Sequence, residues 1–235
     1  MTVGSVGMLL DRGLTLPQLE CAFDIAVADP DPKTNRRRLT IALRDLVSDQ
    51  EAEGKTKKCL TRIWLNPPEA ASEMIGWARK APCPPESRAL LHFGALLATF
   101  PFVGAVARVI GQHLALDGRV DAPTVRIAVR RQFGDRSSVD VAARKAYTTL
   151  CNVGVLAKEG QSLRPVATPW VSPSMLAPWI AHALLLTRQA ESLPATSIRS
   201  APELLGVEMP GAMDRTYPFL EIFTDGDGPV VALSA

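Results

Sequence analysis

The chain has 235 residues, 47% hydrophobic and 21% charged, which excludes a disordered or fibrous polymer and allows one large domain or two small ones around a buried core. The formal net charge is only +2, so the chain as a whole is not strongly basic. Its four cysteines, Cys21, Cys59, Cys83 and Cys151, form no C-x-x-C pair, which argues against a disulfide framework and for a reduced, cytoplasmic setting.

The charge is uneven. Residues 33–62 hold nine Lys/Arg against four Asp/Glu, residues 121–165 hold eight against four, and residues 191–235 hold two against seven. Two basic segments and an acidic tail therefore lie behind a near-neutral total, which bears on partners and not on fold. The first thirteen residues, "MTVGSVGMLLDRG", have no basic leader and only a short apolar run, so a secretory signal is not expected.

In chain order, residues 16–28 read as a helix with Thr15 as cap, Pro17 near the first turn, and Leu19, Phe23, Ala26 and Val27 at helical spacing. Residues 35–53 carry Leu39, Leu43, Leu46 and Val47 on one stripe and read as a second helix. Residues 55–65 and 69–80 read as two short ones. Proline clusters at 66–68, 81–85, 164–173 and 193–202 supply the punctuation. Residues 89–107, "ALLHFGALLATFPFVGAVA", hold no formal charge and are long enough to span a bilayer. His92, Thr99 and the mid-run Pro101 favour a buried helix–break–helix over 87–100 and 102–116 instead. Trp64, Trp77, Trp170 and Trp179 read as packing residues, His92 as a satisfied core histidine and Cys151 as a small buried hydrophobe.

Residues 121–166 carry the functional signal. Asp121 can cap and Gly134 can end a first helix containing Val125, Ile127, Ala128 and Phe133. Ser137 with Asp140 three residues later matches a capping box for a second. Val139, Ala142, Ala143, Ala146 and Leu150 then form an apolar stripe, and Gly154 is the stop. Residues 155–156 and 163–166 can pair across "KEGQ" as a wing. This order is that of a winged helix-turn-helix, whose second helix would enter the major groove with its N-terminal end toward base edges. Arg136, Ser138, Val141, Arg144, Lys145 and Thr148 are the side chains placed there, Arg for guanine and Lys or Thr for phosphate as well as base. Lys158 and Arg164 on the wing, Arg130 and Arg131 with Arg126 on the preceding helix, and Arg36, Arg37 and Arg38 of "KTNRRR" would meet phosphates. Residues 176–191 read as a last apolar helix, and "TDGDGP" between residues 219–223 and 230–233 as a hairpin turn.

No catalytic motif is visible: there is no G-x-S-x-G, P-loop, H-E-x-x-H or dinucleotide fingerprint. "DGDG" at 225–228 lacks the alternating ligands and distal Glu of a calcium loop. No cofactor, metal or small-molecule substrate is expected.

The apolar "LLHFGALLATFPFVGAVARVIGQHLAL" followed by "TVRIAVRRQFGDRSSVDVAARKAYTTLCNVGVL" resembles the BrxA-like proteins found beside bacteriophage-exclusion (BREX) defence genes, best over residues 89–156. That resemblance implies a mainly helical protein with a winged-helix element, double-stranded DNA binding and no catalysis. The expected fold is mainly α: an N-terminal helical region (1–84), an apolar helix pair (85–118), a winged helix-turn-helix (119–168), and a C-terminal helix with a small β-hairpin (169–235). The expected function is a non-enzymatic, double-stranded DNA-binding accessory protein of an anti-phage defence system, with other defence proteins as partners and no membrane. A scaffold docking a larger defence enzyme and a winged-helix transcriptional regulator stay open as alternatives.

Overall fold

The structure is a computed structural model that describes residues 9–29, 31–81, 83–166, 175–210, 213–226 and 228–234. Trp170 and the proline-marked stretch beyond Val166 lie outside the described residues.

Helix α1 (Leu16–Ala28) starts where expected. Gln18 Oε1 accepts the Thr15 N–H at 3.1 Å, and Leu19, Ala22, Phe23 and Ala26 are buried. The single helix expected over 35–53 is two helices, α2 (Pro32–Leu46) and α3 (Gln50–Leu60). Each has its own acidic cap. The Asp31 carboxylate accepts the Lys33 and Thr34 N–H groups, and Asp49 accepts that of Ala52 at 2.8 Å. An Asp satisfies free helix-start donors better than it sits mid-helix, so Asp49 begins a new helix where the stripe suggested continuity. Helix α3 widens into a π-turn, Thr61–Leu65, that buries Ile63, Trp64 and Leu65. Helix α4 (Glu69–Ala78) follows.

The apolar run is a bent pair, α5 (Arg88–Thr99) and α6 (Pro101–Asp117). Pro101 has no N–H to donate, so it opens α6 after a break at Phe100, and the two directions differ by 112°. Every residue from Leu90 to Thr99 is buried. Among the described residues no single helix is long and apolar enough to cross a membrane.

The next five elements build the candidate site. Strand β1 (Val120–Asp121) leads into α7 (Ala122–Phe133), then α8 (Ser137–Val153), then the hairpin β2 (Leu156–Glu159) and β3 (Ser162–Pro165). The strands form one antiparallel sheet in the order β1-β3-β2, with Val120 opposite Leu163 and Ala157 opposite Arg164. Strand β1 anchors the hairpin to the end of α6, a pairing the sequence reading did not include.

Helix α9 (Leu176–Arg188) is the core partner of α5. Gly94 lets it approach: a Cβ there would lie 2.2 Å from Trp179 Nε1, which donates to the Leu91 carbonyl at 3.2 Å. The helix stops short of Glu191 because Gln189 turns left-handed (φ 53°) and aims the chain into β4 (Ser192–Pro194). After the short α10 (Ala195–Arg199) come β5 (Leu220–Asp225) and β6 (Gly228–Leu233). The expected C-terminal hairpin is present, and β4 adds a third strand with Leu193 opposite Val231, giving the order β4-β6-β5. One continuous buried cluster runs from Leu10 to Val231.

The fold is therefore mainly helical, with two small antiparallel three-stranded sheets.

Candidate nucleic-acid interface

Helix α7 ends at Gly134, whose φ of 97° only glycine adopts freely, and residues 134–136 turn the chain into α8. The expected capping box does not form. Arg136 is the cap residue, with extended backbone and no side-chain bond, so Ser137 is the first helical residue. The Ser137 hydroxyl is thus one position too late to cap. Asp140 turns instead to Arg126 of α7, whose Nε lies 3.5 Å away.

The buried side of α8 is as expected, with Val139, Ala142, Ala143, Ala146, Leu150 and Val153 joined by Tyr147 and Thr149. The opposite stripe is open at Ser137, Ser138, Val141, Arg144 and Thr148. Val141 is 37% exposed between Ser138 and Arg144, an apolar contact among polar ones.

A segment without regular structure, residues 9–15, crosses the C-terminal half of this helix. Leu10 and Leu14 are buried. The Leu14 N–H donates to Thr149 Oγ1 at 3.0 Å, and Asn152 Nδ2 donates to the Leu14 carbonyl at 2.8 Å. Lys145 Nζ donates to the Asp11 carbonyl, while Lys58 Nζ of α3 meets the Asp11 carboxylate at 2.9 Å. Lys145, expected on the open face, is therefore half-buried and tied to this strap. Thr148 is exposed at its edge, with Cγ2 near Gly13.

The other expected residues divide into paired and unpaired. Arg164 spans the hairpin to Glu159, and Arg130 meets Asp135 at 3.2 Å, so each shares its charge with a carboxylate. Arg38 meets Asp29 at 3.6 Å. Lys158 lies over the Tyr147 ring, 5.9 Å from its centroid, and fastens the hairpin to α8 while its ammonium stays at the surface. Arg131, Arg136 and Arg144 are exposed and meet no carboxylate among the described residues. Arg36 and Arg37 are exposed on α2, on the wall of a cleft closed by Lys57 and Lys58 of α3. Arg136, Ser138, Arg144 and Thr148 are thus exposed on α8 or at its cap, and Lys158 lies against the helix at Tyr147. Arg36 and Arg37 reach it only by way of Lys58, Asp11 and Lys145.

Sequence reasoning missed Asp11, Thr149, Asn152, Lys57 and Lys58. The Leu10/Leu14 spacing was the visible sign that residues 9–15 dock, and the Lys57–Lys58 pair was visible only as part of a basic segment.

Other titratable groups serve the packing of α1 and α5. Arg88 meets Glu20 at 2.6 Å and Asp24 at 2.9 Å, joining α5 to α1. His92, fully buried beside Glu20 and edge-on to Phe23 and Trp64, is a core histidine, but neither ring nitrogen makes a hydrogen bond of ordinary geometry. Burial pushes its pKa down. Cys151 is half-buried, and burial raises its thiol pKa, so it is not a poised nucleophile. Among the described residues no three His, Cys, Asp or Glu side chains converge as a metal site would require.

Comparison of the chain with protein-family models, with curated proteins and with solved structures finds no match.

Proposed function

We propose that α6, β1, α7, α8 and the β2–β3 hairpin form a winged helix-turn-helix, and that the protein is a non-enzymatic, double-stranded DNA-binding accessory factor. The reading is carried by one observation. The N-terminal half of α8 presents Ser138, Val141 and Arg144 in an open stripe beside the exposed cap residue Arg136, while residues 9–15 are bonded to Thr149 and Asn152 of its C-terminal half. The N-terminal end of a recognition helix is the end that reads base edges, and a strap over the other half leaves that end free. The helix–strand–helix–helix–hairpin order, with β1 beside β3, supports the same reading.

Arg144 is the residue for a guanine edge, Ser138 and Val141 suit neighbouring base positions, and Arg131, Arg136 and Lys158 suit phosphates. Few cations are free of carboxylates here, so affinity is modest, salt-sensitive and weakly sequence-selective. The resemblance to BrxA-like proteins supplies the setting, an accessory role in anti-phage defence beside larger partner proteins.

The test is the Arg136→Ala, Arg144→Ala double variant, shown to be folded, titrated against random-sequence duplex. Two lost contacts lower affinity by about fivefold or more, on the order of 1–3 kcal/mol. An unchanged Kd rejects the assignment of α8 to the groove.

A further inference from the structure

A cleft of about 460 Å³ between α2 and α3 is lined by Arg36, Arg37, Thr40, Gly54, Lys57, Lys58 and Thr61. Four cationic side chains line it, largely through their aliphatic stems, with their charged ends at its rim, and no carboxylate and no aromatic ring lines it. Only Lys58 is charge-paired among the described residues, with Asp11; Lys57 Nζ has just a long contact of 3.4 Å to Thr40 Oγ1. Cations gathered without carboxylates repel one another, an arrangement that a multiply charged anion relieves.

Gly54 is a second, independent sign. It stands mid-helix in α3, where glycine disfavours the helix, yet a Cβ built on it would meet nothing within 4 Å. No neighbour in the fold requires a glycine at this position. What the missing side chain does provide is bare helix backbone on the wall of the cleft.

We propose that this cleft binds phosphodiester groups, and that it holds the backbone of the same duplex engaged by α8. The lining fits phosphate and not a nucleotide as a whole: there is no ring to stack a base and no acidic acceptor for ribose hydroxyls, while Arg and Lys are phosphate ligands. Asp11 makes the two surfaces continuous, its carboxylate on Lys58 and its carbonyl on Lys145 of α8. The proposal rests on the DNA-binding reading of α8. It adds Lys57, Lys58 and Gly54 to that reading and leaves out Arg38, which pairs with Asp29, and Thr40, whose hydroxyl donates to the Arg36 carbonyl at 2.9 Å.

The experiment uses the full chain, random-sequence duplex DNA over a range of salt, and inorganic pyrophosphate. Arg37→Ala with Lys57→Ala is expected to lower the slope of log K against log salt by about two, since each phosphate contact contributes about 0.9. Gly54→Ala is expected to weaken duplex binding several-fold while raising the unfolding temperature, a combination that a purely structural glycine would not give. If the wild-type slope persists in the cleft variants while Arg144→Ala still weakens binding, the cleft proposal is overturned and the reading of α8 stands. If duplex does not bind but pyrophosphate raises the unfolding temperature of the wild type and not of the cleft variant, the cleft serves a free phosphate ligand and the duplex assignment is overturned. Binding of neither probe overturns both.

Discussion

Lys145 gives its ammonium to the backbone carbonyl of Asp11, so a side chain on the stripe expected to face a partner is spent on holding the N-terminal strap. Arg144, its neighbour in sequence, is exposed and meets no carboxylate among the described residues. The two residues are therefore predicted to separate in experiment. Lys145→Ala should cost about 1 kcal/mol of stability, a charged hydrogen bond in a half-exposed setting, with little change in duplex affinity. Arg144→Ala should do the reverse. Urea unfolding beside a binding titration on both variants checks this.

Thr149 holds the strap from the buried side. Replacing it with Val keeps the shape but leaves the Leu14 N–H without its acceptor, in a place where Leu14 is fully buried. The expected cost is about 1–3 kcal/mol, with faster hydrogen exchange at residues 9–15 than at α5.

Glu203 is fully buried between Arg108 of α6, at 2.7 Å, and Arg188 of α9, at 2.9 and 2.6 Å. Glu203→Ala strands two guanidinium groups, one of them well covered, and should cost about 3 kcal/mol, read as a lower urea midpoint at unchanged slope. Next to it, Gly111 has no room for a Cβ, which would lie 1.8 Å from the Pro202 carbonyl oxygen. Gly111→Ala should destabilise by about 1–3 kcal/mol. Gly76→Ala on α4, where a Cβ meets nothing within 4 Å, should stabilise by about 0.5–1 kcal/mol.

Stability should fall in acid through two groups. Burial lowers the pKa of His182 from 6.5 to about 4, and the ring's Nδ1 lies 3.1 Å from the Tyr217 hydroxyl. A depressed folded value means that protons bind the unfolded chain more readily. The contribution is complete above pH 6.5 and is lost as pH falls toward 4, about 3 kcal/mol in all. For Glu203, burial alone would raise the pKa, but hydrogen bonds from Arg188 and Arg108 hold it below its ordinary value, so its contribution is lost as pH falls through that folded value. His182→Gln, which keeps a partner for Tyr217, should flatten the fall that begins at pH 6.5 and leave the part due to Glu203.

Much of the fold can be read from the sequence because its punctuation is chemical. Pro17, Pro101, Gly134 and Gly154 mark helix ends by what they lack, a donor or a side chain, and those ends hold. Asp49 shows the limit: a periodic stripe says which face is buried but not whether one helix or two carry it. Strands β1 and β4 were illegible because two or three residues have no period, and only their partners β3 and β6 make them strands. At the candidate site the spacing gives the open stripe of α8. It cannot show that Lys145, Arg164, Arg130 and Arg38 are engaged, since their partners are set by tertiary contact or by a rotamer. The strap comes from residues more than a hundred positions away, 135 for the Leu14–Thr149 bond, so the Leu10/Leu14 spacing marks a docking segment without showing that α8 is what it docks on.

The central claim is that α8 presents its N-terminal half to duplex DNA. A salt titration of the full chain against random-sequence duplex tests it most directly. The predicted result is binding at low salt whose log K falls linearly with log salt, with a slope of magnitude several at about 0.9 per phosphate, reduced in the Arg136→Ala, Arg144→Ala variant. Absence of binding at low salt, or binding indifferent to salt and to both arginines, would contradict the account.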